Sequence, residues 1–147
     1  MKEIKEMKYY LAYGSNLNKE QMAYRCPGAI PVGTMMLDGY ELLFRAPGVL
    51  TIEEKAGCKV PIGIWKVNEQ HEKALDRYEG YPRVYYKKEV EISKDRKAFV
   101  YIMNEGRQLC GTSLNYYDIC RRGYKDFGFD EKYLKEALKR STEGMTE

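Results

Sequence analysis

At 147 residues, with 44% hydrophobic and 32% charged side chains, the chain is long enough for one domain with its own core and too apolar for a disordered one. A net charge of +3, with Lys and Arg interleaved among Glu and Asp, argues against a nucleic-acid surface, and no apolar run approaches membrane-spanning length. The charged start, residues 1–6, lacks the apolar stretch of a signal peptide. The four cysteines (Cys26, Cys58, Cys110, Cys120) lie apart with no C-x-x-C pair and read as reduced. The expectation is a cytoplasmic protein with a single domain over residues 1–147, frayed at 1–7 and 141–147. Tyrosine is the outlier in composition: 14, against 4 Phe and 1 Trp. Its aromatic body and polar tip suit a polar ligand cavity, an edge strand or an interface.

Residues 9–13 read as a strand running into Gly14-Ser15-Asn16. Asn18, with Gln21 three residues on, opens a helix over 19–25 in the manner of a capping box, and Cys26-Pro27-Gly28 closes it. The backbone N–H groups of such a turn can cradle a negatively charged oxygen, with Gly14 supplying backbone angles closed to other residues. An ordinary strand-to-helix connection carries the same pattern. Residues 29–36 and 40–45 read as strands split by a hairpin turn at Asp38-Gly39, and 49–53 and 59–67 as two more across a charged turn at 54–57. Val60, Ile62 and Ile64 keep the period of two of a half-buried strand.

Asn68 caps a helix over 69–79, stopped by Gly80, with Ala74, Leu75 and Tyr78 inward. After an extended Tyr81-Pro82, residues 84–93 and 98–103 read as strands about a polar turn. Leu114, Tyr117, Cys120 and Tyr124 stripe a helix that starts behind Ser113 and closes near Gly123. Asp130 caps a last helix to Arg140, with Tyr133, Leu134, Ala137 and Leu138 inward. Consecutive strands on short turns imply antiparallel pairing. The fold class is therefore α+β: a small mixed, mostly antiparallel β-barrel flanked by helices.

Among groups able to do chemistry, Glu79 is placed oddly. It falls in the last turn of its helix, at the negative end of the macrodipole, where a carboxylate is disfavoured and its pKa pushed up. That suits a general base working near neutral pH; a solvated helix-end residue would look the same. His71, the single histidine, sits in a charged helix without a nucleophile elbow and reads as a surface residue, which leaves no Ser–His or Cys–His arrangement. No cluster of metal ligands and no phosphate-binding P-loop occurs, and residues 97–101 lack the glycine of an RNA-binding strand.

Four segments, in order, resemble the γ-glutamylcyclotransferase-like (AIG2-like) superfamily. They are Tyr13-Gly14-Ser15-Asn16-Leu17, then Leu75-Asp76-x-Tyr78-Glu79-Gly80-x-Pro82-x-x-Tyr85, then Ser113-x-x-Tyr116, and the closing Gly123-Tyr124-x-Asp126-x-Gly128-Phe129 with Tyr133-Leu134. The resemblance runs from about Tyr9 to Leu138 and departs from the family at Thr112, where Pro is common. It implies a small mixed barrel whose cavity lies at the Tyr-Gly-Ser-Asn turn, and release of 5-oxoproline from a γ-glutamyl compound. Carried over, Glu79 is the acid/base, the backbone around Gly14, Ser15 and Asn16 is the anion-binding loop with Tyr13 and Leu17 beside it, and Tyr85 and Tyr116 line the cavity.

The chemistry is consistent with that residue set. In a γ-glutamyl amide the substrate's own α-amine is the nucleophile, so folding it into a five-membered ring supplies a proximity effect of several kcal/mol. One base and a few N–H donors complete the requirement; no metal, cofactor or protein nucleophile is needed. The expected partner is a small-molecule γ-glutamyl substrate, with no nucleic acid and no membrane, in a monomer or homodimer. Hydrolysis or acyl transfer at a related amide, and a non-catalytic ligand-binding or interaction domain of the same fold, are the alternatives. The leaving amine is not encoded in any motif; its walls fall in loops such as 46–50 and 104–112.

Overall fold

The computed structural model describes residues 7–145. Its centre is β1 (Lys8–Ala12), which pairs antiparallel with β3 (Val49–Val67) on one side and parallel with β5 (Arg96–Met103) on the other. Paired on both edges, β1 is buried on both faces from Tyr10 to Ala12, which explains why Tyr10, Leu11 and Ala12 succeed one another without a polar residue. The edge strands β2 (Ile30–Arg45) and β4 (Tyr85–Ser93) pair antiparallel with β3 and β5, giving the order β2-β3-β1-β5-β4.

The four short strands expected between residues 29 and 67 are two long ones. Asp38 pairs with Lys59 and Tyr40 with Glu54, so residues 55–58 loop out of register opposite Gly39. Gly39 and Gly57 both take positive φ, 82° and 87°, and because they lie at the same level in paired strands they bend the ribbon instead of reversing it. The reversal comes at residues 46–48. There Gly48 has φ 120°, and a Cβ would lie 2.9 Å from the Gly111 carbonyl oxygen.

The bend swings the far half of the ribbon across β4 and β5. Met103 N–H donates to the Thr51 hydroxyl (2.9 Å), Tyr85 Oη–H to Leu50 O (2.7 Å), and Lys88 Nζ to Tyr40 Oη (2.7 Å). These side-chain bonds stitch the seam that backbone pairing would close in a barrel. The expected barrel is thus a curled, open five-stranded mixed sheet.

Two of the helix starts follow the caps read from sequence. Asn18 Oδ1 accepts from Gln21 N–H at the head of α1 (Lys19–Arg25), though the Gln21 side chain turns to Arg25 and leaves the box half made. In α2 (Glu69–Glu79) the box is completed by His71. Its N–H donates to Asn68 Oδ1 while its Nδ1 accepts from Asn68 N–H (3.0 Å). With Nδ1 accepting, Nε2–H is the donor to Pro27 O at 2.6 Å. His71 is therefore a buried structural residue and not the surface histidine expected.

Tyr81-Pro82 lies in a turn with a cis peptide bond in place of extended chain. Helix α3 (Leu114–Phe127) runs past Gly123 and stops at Gly128, while Leu114, expected inward, is 91% exposed. Helix α4 (Lys132–Gly144) continues beyond the expected end at Arg140. Ser141, placed by sequence in a frayed tail, is fully buried: Phe44 N–H donates to its Oγ (2.8 Å), which donates to Ala137 O (2.7 Å). The expected fraying of residues 1–6, 146 and 147 lies outside the described residues. No helix among those described is long and apolar enough to cross a membrane.

Candidate active site

A cavity of about 430 Å³ opens where the end of β1, the end of α2 and the β2–β3 turn converge. On one wall stands the 3-10 turn Ser15–Leu17 that links β1 to α1. The N–H groups of Leu17 and Asn18 close the turn on Gly14 O and Ser15 O (both 3.0 Å). Those of Gly14, Ser15 and Asn16, at its head, have no acceptor among the described residues. Three contacts, from β3 and α3, hold the turn in place. Trp65 Nε1–H of β3 donates to Asn16 O (2.9 Å), Asn18 Nδ2 donates to Ile119 O of α3 (3.0 Å), and Gly123 of α3 lies so close that a Cβ would be 2.6 Å from Asn18 N. Gly14 itself has φ −132° and ψ −124°, in neither the strand nor the helix region. Its value is space: a Cβ would lie 3.3 Å from Leu50 Cδ1 and 3.4 Å from Tyr116 Oη, inside the cavity wall.

Glu79 stands on the facing wall. Its Oε2 accepts from Asn16 Nδ2 at 3.4 Å, and Tyr78 Oη meets Ser15 Oγ at 2.9 Å, so consecutive residues of α2 bond to consecutive residues of the turn. Burial pushes the Glu79 carboxyl up to about 7, with Arg25 pulling it back. The direction is the one expected from sequence, but desolvation is its main cause, not the helix terminus.

Of the residues named from sequence, Tyr13, Gly14, Ser15, Asn16, Glu79, Tyr85 and Tyr116 all line this cavity. Leu17 does not. It is wholly buried beneath the turn, where Gly63 and Gly123 make room for it. The tyrosine hydroxyls frame the site by bonding to the protein: Tyr13 Oη–H donates to Tyr101 O (2.7 Å), Tyr85 Oη–H to Leu50 O, and Leu50 N–H to Tyr116 Oη (3.1 Å). Thr112, standing where the family often has Pro, donates to Gly48 O (2.7 Å) and so ties the approach to α3 onto the β2–β3 turn. Sequence reasoning missed Tyr10, Tyr78, Tyr101, Arg77 and Arg107 in the lining, and Arg25 behind it. Tyr78 lay inside the recognised motif and could have been found there; the others carry no local signal.

A buried carboxyl pushed up to about 7 and the Gly14–Asn16 turn thus share one pocket on an α+β scaffold. A family model described as "Gamma-glutamyl cyclotransferase, AIG2-like" matches residues 10–119. The chain belongs to that family, a class of enzymes. Among proteins named Gamma-glutamylcyclotransferase, one from Bos taurus is 35% identical over 81 residues, 48% of this chain and 43% of its own length. Another, from Mus musculus, is 28% identical over 145 residues, 88% of this chain and 76% of its own. A solved structure titled Gamma-glutamyl cyclotransferase is similar with a TM-score of 0.79 and 26% identity, covering 90% of this chain and 86% of that one.

Proposed function

We propose that the protein releases 5-oxoproline and a free amine from a γ-glutamyl amide, with Glu79 as general acid and base. The observation that carries this reading is the pair of facing walls: Glu79 across one cavity from the Gly14–Asn16 amides, bridged by Asn16. The substrate's glutamyl half fits between them, its γ-carbonyl oxygen toward the turn and its α-ammonium toward Glu79.

The carboxylate takes a proton from the ammonium, and the freed amine attacks the γ-carbonyl carbon. One C–N bond forms, and the resulting oxyanion is held by the N–H donors of the turn, each worth about 3 kcal/mol in comparable holes. Collapse breaks the original amide C–N bond as Glu79 returns the proton to the departing nitrogen, and the second proton on the ring nitrogen then passes through Glu79 to the released amine, leaving a neutral lactam and an ammonium. No water is consumed. A carboxyl at about 7 suits both half-steps, since near neutrality it can accept a proton and give it back at similar cost.

Product analysis tests the reading directly. Incubation with a panel of γ-glutamyl amides is expected to yield 5-oxoproline with no incorporation of labelled oxygen from water. Labelled glutamate would replace the reading with amide hydrolysis. Tight 5-oxoproline binding without turnover of any amide would make the site a non-catalytic one.

A further inference from the structure

We infer that Arg25 is a positioning residue of this site: its guanidinium locks the amide orientation of Asn16 and places a positive charge behind Glu79. The inference rests on the proposed acid–base role of Glu79. Arg25 is the last residue of α1, nine positions after Asn16, and lies outside every motif that marks the site. It is held flat by two contacts. The guanidinium stacks over the Tyr78 ring at 3.5 Å, and Nη2 donates to Gln21 Oε1 at 2.9 Å one helical turn back. From there Nη1 donates to Asn16 Oδ1.

A guanidinium can only donate, so the atom of Asn16 that faces it must be the carbonyl oxygen. This fixes the side-chain amide and sends Nδ2 the other way, to Tyr10 Oη (2.9 Å) and Glu79 Oε2 (3.4 Å). Glu79 thereby faces a donor, which favours its ionised form. Without Arg25 the Asn16 amide is free to flip and present Oδ1, which only a protonated Glu79 can satisfy. The loss of charge acts in the same direction. The other titratable groups about Glu79 do not oppose it: Tyr10 and Tyr13 from β1, Tyr85 from β4 and Tyr101 from β5 are all held above the usual phenol range by burial. Tyr78 neighbours it on α2. Arg77 and Arg107 line the cavity, but the charge that lowers Glu79 is that of Arg25.

The experiment follows two readouts in wild type, Arg25→Met and Arg25→Lys: the Glu79 carboxyl titration by carbon NMR of the free enzyme, and the pH dependence of kcat/KM for 5-oxoproline release. In Arg25→Met both midpoints are expected to move to higher pH by roughly one unit, so that activity lost at pH 7 is largely recovered at pH 9. Arg25→Lys, which keeps the charge but not the fork, should lie between. An unmoved Glu79 titration in Arg25→Met, or an activity loss of the same factor at every pH, would overturn the inference. A Glu79 titration that moves while the rate profile stays in place would instead overturn the acid–base role of Glu79 and leave the contact with Arg25 a structural one.

Discussion

Glu79 places two opposed demands on one carboxyl group. Burial holds its pKa near 7, against an ordinary value of 4.5, so the fold favours the protonated form. Folded protein therefore binds a proton that the unfolded chain releases between those two values, and stability is lost as pH rises through that window. The penalty reaches roughly 1–3 kcal/mol above pH 7. Glu79→Gln, neutral at every pH, removes it. Calorimetry should find that variant melting several degrees above wild type at pH 8 and with it at pH 5; an advantage that persisted unchanged at pH 5 would contradict the assigned cause. Sequence pointed to the residue and to the direction of its shift. The larger part of the cause was hidden because desolvation comes from residues distant in the chain, among them β1 and the β2–β3 turn.

At the scale of elements, the site depends on α3 pressing against the 3-10 turn. Gly123 has neither a positive φ nor a chain end to explain it; it is there because Asn18 and Leu17 backbone atoms occupy the space a side chain would take. Gly123→Ala is expected to cost about 1–3 kcal/mol in denaturant unfolding and to lower kcat/KM as the turn shifts. Asn115→Ala, on the exposed side of the same helix, should alter neither. A Gly123→Ala protein with normal stability and activity would mean that α3 does not position the turn.

The same contrast explains which elements could be read in advance. Helices α1 and α2 run where Asn18, Asn68 and Gly80 set their ends, because caps act within a few residues. The two long strands were legible only as fragments. Whether Gly39 and Gly57 reverse the chain or bend it depends on which residue sits opposite, and that register is not written locally. Glu79 and Gly14–Asn16 were visible as motifs. Arg25 and Tyr101 were not, since they reach the site only when α1 folds back and β5 pairs with β1.

In the molecule as a whole, one curled sheet joins these parts without closing. Its seam includes a buried hydroxyl, Thr51 Oγ1, accepting from the N–H of Met103. Thr51→Val would keep the shape and orphan that donor, at an expected cost of about 1–3 kcal/mol by urea unfolding. A neutral outcome would show that the seam is held by packing alone. The cavity lies beside this seam, roofed by Leu50 between Thr51 and the β2–β3 turn, so the overall curl is what brings α2 to face the turn. The most direct test of that arrangement is single-turnover release of 5-oxoproline by wild type and Glu79→Gln, with a γ-glutamyl amide that wild type turns over. Loss of a general base predicts a fall of about a hundredfold or more with substrate still bound; release at the wild-type rate by Glu79→Gln would contradict the account.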